Sequence, residues 1–244
     1  MHATGDRAST GSPIQIDFSA ESTCPIFQCP ITPPVAVTPW DIPPICIDDD
    51  SDPIEAYIGY TGGEQGYTAI TGKIGLDVAW YLNGLLIPEV YIKRGSKVVF
   101  FVNGGNNETI ESQNHPLYIT SSKEGALYAH PRSSETVYGP PTTGEFCMWE
   151  ETAGNGDQFD PWSDYKATLE SSCGNGITSS VIQWQTDENT PDMAYYQCAA
   201  HHNLGWKIYI VDDLSECPGS AGYLTLPFSL LTLIAVLLTV LYGF

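Results

Sequence analysis

The chain has 244 residues and a formal charge of −20, with 29 acidic side chains against 9 basic ones. Such an acidic surface repels phosphate backbones, which excludes nucleic acid as a partner. The 23 glycines, 18 prolines and 14 tyrosines favour many short strands joined by turns over long helices.

Residues 1–52 are predicted to form a Pro-rich, extended or disordered arm. They alternate Ser, Thr and Pro with isolated apolar residues, and the run 29–34 cannot continue a helix or a central strand. The acidic run 48–52 lacks the Gly and the distant Glu of a calcium loop, so it is interpreted as a solvated linker. No basic segment followed by an apolar run opens the chain, so no N-terminal signal is recognised in it.

Residues 53–214 are predicted to form one all-β domain. Apolar, β-branched and aromatic runs predict strands at 56–60, 75–81, 90–92, 97–103, 116–120, 181–185, 194–197 and 206–211. A long insertion at about 125–178 holds Cys147, Cys173 and a short helix within 160–170. Because no alternating βα pattern appears, these antiparallel strands predict a Greek-key β-sandwich or barrel.

Seven cysteines are too many for a typical reduced cytosolic protein of this size. If Cys198 is a metal ligand, six remain for three disulfides, whose connectivity the sequence does not fix. Closeness along the chain favours the pairs Cys24–Cys29 and Cys147–Cys173. Cys46 and Cys217 then remain as the third pair. The sequon 107–109 predicts one N-linked glycan in a Gly/Asn-rich loop.

The C-terminal residues predict attachment to a membrane. Residues 224–244 carry no charge and are long enough to cross a bilayer as a helix. Residues 215–222 are interpreted as a linker or anchor-attachment region, because small residues there precede the hydrophobic segment 223–244, as in a GPI signal. A plain C-terminal helix is the alternative. We therefore expect an extracellular or cell-surface protein anchored at its C-terminal end.

One segment combines metal-ligand residue types at a short spacing. A predicted strand ends at Cys198, a tight loop carries His201, and the next strand resumes at Trp206. A second imidazole must come from elsewhere, and His115 stands just before another predicted strand. Two His and one Cys in a trigonal arrangement form the blue-copper electron-transfer site, so these three residues predict one type 1 copper ion.

These motifs resemble the cupredoxins, the blue copper superfamily. The similarity rests on the order of the run 92–103, His115 and the Cys198-x-x-His201 spacing. The chain also resembles the cupredoxin-like domain of Skeletor-type extracellular proteins over about 54–213. This second resemblance includes the insertion, and it is carried by the segments 146–150, 157–159, Cys173, 195–201 and 204–208. The resemblance implies a cupredoxin-like fold and, less directly, copper.

The position of the usual axial Met is occupied by Trp206, and Leu204 cannot ligate either. Loss of a thioether ligand destabilises the oxidised ion, so a raised reduction potential is expected. His202 is the alternative to His201 as the second imidazole, and the Cys-x-x-His spacing favours His201.

Three other interpretations remain beside electron transfer with a redox partner protein or domain. The first is a metal-free structural or adhesive extracellular module in which Cys198 is disulfide-bonded or simply buried. The second is a zinc site, which lacks a clear fourth ligand. The third is an enzyme. Five histidines are too few for a trinuclear copper cluster and no hydrolase motif is present, so the chain alone is not expected to be catalytic.

Overall fold

A computed structural model describes residues 37–49, 51–107, 109–145, 147–173 and 179–219. The predicted pair Cys24–Cys29 and the hydrophobic segment 223–244 lie outside these residues, as does most of the predicted arm. In the described ranges no helix is long and apolar enough to cross a membrane.

Thirteen strands and two short α-helices make up the regular structure of the described residues. The strands are β1 Ile45–Ile47, β2 Ile54–Tyr60, β3 Val78–Leu82, β4 Leu85–Leu86, β5 Val90–Lys93, β6 Lys97–Val102, β7 Leu117–Thr120, β8 Val137–Thr142, β9 Met148–Glu151, β10 Leu169–Ser171, β11 Ser180–Gln185, β12 Met193–Cys198 and β13 Lys207–Val211. The α-helices are α1 Ala69–Thr71 and α2 Trp162–Lys166. A π-helical turn spans Glu64–Thr68, and 3-10 turns span Glu111–Gln113, Gly156–Gln158 and Leu214–Glu216.

Two sheets pack face to face, which confirms the predicted all-β sandwich. The first sheet has the order β1-β5-β13-β12-β7-β8. The second sheet has the order β10-β9-β2-β3-β4, with β6 paired to β2 and β11 paired to β6. Strand pairing is mixed: β1–β5, β5–β13, β2–β6 and β2–β9 are parallel, whereas the prediction had only antiparallel strands. The parallel pairs arise because the chain crosses between sheets instead of returning by hairpins.

Strand β3 is buried on both faces and separates two hydrophobic clusters. Trp80 and Leu82 point into the core between the sheets, which is largely aliphatic. The intervening Ala79 and Tyr81 face a second, largely aromatic cluster, as the two-residue period of a strand requires. Helix α2 covers this second cluster from the insertion.

Three local features differ from the sequence-based expectations. Residues 45–47, predicted within the arm, form β1 and pair with β5. The helix expected within 160–170 is limited to Trp162–Lys166, because the chain turns at Thr168 to begin β10. The insertion is not a loop alone, since it adds β9 and β10 to the second sheet.

Both predicted disulfides within the described residues are confirmed: Cys46–Cys217 and Cys147–Cys173. The first ties edge strand β1 to the turn after β13, and the second closes the insertion at β9 and β10. Cys198 is unpaired and buried, as a metal-ligand role requires. Disulfides of this kind are typical of proteins that fold in an oxidising compartment.

Candidate metal centre

The pairing of β7 and β12 brings the three predicted ligands to one end of the sandwich. Cys198, the last residue of β12, lies opposite Leu117, the first residue of β7. His115 precedes β7 directly, so it lies beside Cys198. The backbone amide of Ala199 donates to the carbonyl of Pro116 at 2.8 Å, which joins the two ligand-bearing segments beyond the strand ends.

The loop between Cys198 and Trp206, called the ligand loop, turns back tightly enough to place His201 beside the Cys198 sulfur. Gly205 lies against β12 where its loop returns, and a Cβ there would come within 1.7 Å of the Tyr196 carbonyl oxygen. The Gly205 amide donates to Oε1 of Gln197 at 3.1 Å. Only glycine permits so close a backbone approach, so Gly205 sets the size of the ligand loop.

The donor atoms of the three residues converge on one point. Sγ of Cys198 lies 4.0 Å from Nδ1 of His115 and 3.7 Å from Nδ1 of His201. The ligand atoms of all three residues lie within 4.8 Å of one another. Bonds of about 2.0–2.3 Å to Cys and His would separate the donors of a trigonal ion by roughly 3.5–4.0 Å. The donor set therefore fits one metal ion with little movement.

Burial controls the protonation of the two inner ligands. Cys198 is fully buried and His115 is 1% exposed, whereas His201 is half-buried. Burial raises the pKa of the Cys198 thiol to about 12, although the amides of Ala200 and His201 point at the sulfur and oppose this rise. Burial, with a smaller contribution from neighbouring His201, lowers the pKa of His115 to about 4. Without metal, the site therefore holds a neutral thiol and a neutral imidazole.

Backbone groups around His115 fix its position. Its amide donates to the Gly105 carbonyl at 2.6 Å, and its ring makes a hydrogen bond to the backbone of Ser112. Gly105 has a φ of +90°, and a Cβ there would lie 2.2 Å from the His115 carbonyl oxygen. Hydrogen bonds of this kind select the tautomer and ring orientation of a ligating His.

No fourth His, Cys, Asp or Glu side chain joins this cluster among the described residues. The cluster of convergent His, Cys, Asp and Glu atoms there comprises His115, Cys198 and His201. Leu204 is fully buried in the core, and Trp206 packs against both clusters with the Lys207 ammonium 4.6 Å from its ring centroid. A closed tetrahedral zinc site would therefore lack its fourth ligand from this part of the chain.

His202 does not join the cluster. Its ring stacks on exposed His130, with centroids 5.1 Å apart and planes inclined by 27°. The geometry thus separates the two candidates that the sequence left open, because only His201 is brought to the sulfur. The contact between His130 and His202 had no signal in the sequence, since 71 residues separate them.

Comparisons with known proteins find sequence similarity to parts of longer proteins. A family model described as the At5g54830-like domain matches residues 165–212, which include Cys198 and His201 but not His115. Protein Skeletor of Drosophila melanogaster, isoforms B/C, is 38% identical over 201 residues, covering 75% of this chain and 25% of that protein. Skeletor isoforms D/E match at the same identity, with 13% of their length covered.

A plant protein is more distantly similar. The "Cytochrome b561, DM13 and DOMON domain-containing protein At5g54830" of Arabidopsis thaliana is 25% identical over 134 residues, covering 54% of this chain and 11% of that protein. No solved structure gives a significant match. The chain spans a quarter or less of the length of these curated relatives. The predicted resemblance to Skeletor-type proteins is therefore confirmed at the level of homology.

Proposed function

We propose that this chain is a cupredoxin-type domain that binds one type 1 copper ion and transfers electrons outside the cell. The observation that carries the proposal is the convergence of one sulfur and two imidazole nitrogens within 4.8 Å. A soft thiolate with two imidazoles selects copper over the hard cations. Bound there, copper would supply one-electron redox chemistry.

The protein groups around the site favour electron transfer over catalysis. His115 and Cys198 are held by buried strands and backbone hydrogen bonds, so their positions need not change with the charge of the site. A rigid ligand set lowers the reorganisation energy of electron transfer. The absence of a thioether at Leu204 and Trp206 supports a raised reduction potential.

The surface near His201 is suited to a protein partner. Asn203 donates to the carbonyl of Ile74 at 3.0 Å, and Ile74 is 84% exposed. Tyr128 is 57% exposed and is hydrogen-bonded through its amide to Ala199. Apolar side chains at this end would contact a redox partner without the cost of burying charge. The plant relative is named for a cytochrome b561 domain as well as for DM13 and DOMON domains, which supports a haem protein or domain as the redox partner.

The location of the domain is part of the same proposal. Disulfides fit a secreted protein, and the uncharged segment 223–244 would anchor the chain by a GPI group or a C-terminal helix. Release from intact cells by phosphatidylinositol-specific phospholipase C supports the lipid anchor. Retention after that treatment, with release by detergent, supports the helix.

One experiment tests the copper proposal directly. Purified, disulfide-bonded protein receives one equivalent of copper(II), and its visible spectrum is recorded. We expect an intense thiolate-to-copper charge-transfer band in the wild type and in His130→Ala, and none in His115→Ala. His130 is the matched control because it is a histidine at the same end of the sandwich but outside the cluster.

Two results would contradict the proposal. A colourless wild type that retains no copper would favour the metal-free structural module. A coloured protein whose reduction potential lies below that of the aqueous copper couple would contradict the high-potential site.

A further inference from the structure

The connection between β7 and β8, residues 121–136, is called the clamp here because it lies along the ligand loop. Its two ends are closed on each other by two hydrogen bonds between Ser121 and Thr136. The amide of Ser121 donates to the Thr136 carbonyl at 2.9 Å, and the Thr136 amide donates to the Ser121 hydroxyl at 2.9 Å. The intervening residues therefore form a closed loop with little freedom at its base.

The clamp is hydrogen-bonded to the ligand loop and to the end of β12 that leads into it. Four bonds of 2.8–3.1 Å link the two segments: Ala126 N to Cys198 O, Tyr128 N to Ala199 O, Asn203 N to Glu124 O, and Gln197 Nε2 to Lys123 O. A backbone bridge joins Gly125 to His202 in addition. This is a sheet-like contact between a connection and the loop that bears two of the three ligands.

Gly125 brings the clamp backbone against Cys198 and His201, the two candidate ligands of the ligand loop. Its φ is +74°, and a Cβ there would lie 2.8 Å from the Cys198 carbonyl oxygen and 3.2 Å from that of His201. The contact therefore depends on a residue without a side chain at this point. Movement of the clamp would be transmitted to Cys198 and His201 through their backbone.

Arg132 holds the inner turn of the clamp together. Its guanidinium donates to the Ser122 hydroxyl at 3.0 Å, to the Gly125 carbonyl at 3.3 Å and to Oε2 of Glu124 at 3.0 Å. Because Glu124 and Gly125 are among the residues that contact the ligand loop, the Arg132 side chain fixes part of the contacting backbone.

Glu135 fastens the clamp to β7. Its side chain is 2% exposed, and its Oε1 accepts hydrogen bonds from the Tyr118 hydroxyl at 2.8 Å and the Thr120 hydroxyl at 2.7 Å. Oε2 lies 3.8 Å from the Arg132 guanidinium. Tyr118 lies opposite Gln197 on β12, so this carboxylate links the clamp to the strand pair that carries the site.

We propose that the clamp holds the ligand loop in its metal-binding geometry, with Arg132 and Glu135 as positioning residues. In this role they do not touch the metal. They limit the movement of His201 relative to the Cys198 sulfur, and so act on the strength and geometry of the metal–thiolate bond. The consequence for copper rests on the proposed function, whereas the restraint of the loop does not.

Amide hydrogen exchange of the metal-free protein tests the restraint itself. In Arg132→Met we expect the amides of Ala126, Tyr128 and Asn203 to exchange about tenfold faster or more than in the wild type. Arg94→Met is the matched control, because Arg94 also donates to two carboxylates and to backbone carbonyls, but at the other end of the sheet. Equal exchange of these three amides in both variants would overturn the proposal.

A second pair of variants covers the case in which Arg132→Met does not fold. Glu135→Ala removes the acceptor of Tyr118 and Thr120, whereas Glu135→Gln keeps an amide oxygen there. We expect faster exchange of the same three amides in the alanine variant and recovery in the glutamine variant. Exchange in the alanine variant at the wild-type rate would contradict the role of Glu135.

Experiments on the copper-loaded protein test whether Arg132 and Glu135 position the metal ligands. We expect Arg132→Met and Glu135→Ala to lose copper to a chelator about tenfold faster and to shift the charge-transfer band, while Arg94→Met matches the wild type. A colourless wild type would refute the proposed function and leave the exchange result to decide the clamp. A coloured wild type with unchanged exchange in the clamp variants would refute the clamp alone.

Discussion

The two ends of the first sheet are held together by different forces. At the ligand end, two neutral, buried donor side chains are surrounded by backbone hydrogen bonds from the clamp and from the segment before β7. At the other end, Arg94 pairs with Asp192 and Asp212 at 2.6 and 2.8 Å, and the Cys46–Cys217 disulfide fixes the edge. The Cys46–Cys217 disulfide and the Arg94 ion pairs thus lie away from the candidate site, whereas the Arg132 ion pairs of the clamp lie beside it. Mutations of the first group should therefore change stability without changing the proposed metal chemistry.

The largest expected effect is at the ligand end. Cys198→Ser replaces the thiolate with a poor copper ligand, so the charge-transfer band should disappear completely. A hydroxyl in the same buried position costs about 1–2 kcal/mol of unfolding free energy, which a folded domain should tolerate. Visible spectra and thermal unfolding measured together check this. An intense band that survived the substitution would show that the sulfur is not a ligand.

Removing the Cys46–Cys217 disulfide should have the opposite effect, a large loss of stability without a change at the candidate copper site. Because the sequence separation of Cys46 and Cys217 is 171, we expect the double alanine variant to lose about 3–5 kcal/mol of unfolding free energy. The copper spectrum of the folded fraction should be unchanged. Denaturant titration and spectroscopy on the same sample provide the measurement.

The second disulfide offers an internal control. Cys147 and Cys173 are separated by 26 residues, so chain entropy predicts a loss smaller by about 1–2 kcal/mol when they are replaced. A shift of the copper band on loss of Cys46–Cys217 would contradict the separation of the two ends.

A smaller effect is expected from Arg94→Met. Arg94 is 20% exposed, but its partners Asp192 and Asp212 are 91% and 83% exposed, so solvent screens both ion pairs. We expect a loss of about 1 kcal/mol in unfolding free energy, measured by denaturant titration, with no change in the copper spectrum. A loss of colour would show that the two ends are coupled.

The smallest effect distinguishes the two neighbouring histidines. His202→Ala removes only the stack on His130, so it should keep the band and change the unfolding free energy by about 0.5 kcal/mol or less. His201→Ala at the adjacent position should abolish the band. Copper titrations of both variants check this, and the opposite result would assign the ligand role to His202.

The sequence predicted that His115, Cys198 and His201 lie together, and the structure shows this cluster, because its signal is local. The Cys198-x-x-His201 spacing on a loop between strands, with His115 directly before another strand, requires only that β7 and β12 pair. That pairing is observed. The spacing also favoured His201 over His202, in agreement with the geometry. Two of the three predicted disulfides lie within the described residues, and both are observed. Cys147–Cys173 was predicted from closeness along the chain and Cys46–Cys217 as the pair that remained.

The clamp and the edge strand could not be predicted in this way. The clamp contacts the ligand loop mainly through backbone amides and carbonyls. Nearly all residues carry these groups, so such contacts leave no pattern in the side chains. Strand β1 has only three residues and follows a Pro-rich stretch, so its short apolar run does not differ in pattern from the predicted arm. Parallel pairing depends on crossovers between the sheets, which local periodicity does not encode.

The burial of Cys198 also bears on how the protein is made. In an oxidising compartment, an exposed thiol would attack other disulfides or be captured in a mixed one. The attacking species is the thiolate, and Cys198 is fully buried with its pKa raised to about 12. Once the sandwich has formed, burial therefore disfavours attack by this sulfur on other disulfides. A thiol buried in this way would reach the proposed copper ion unmodified.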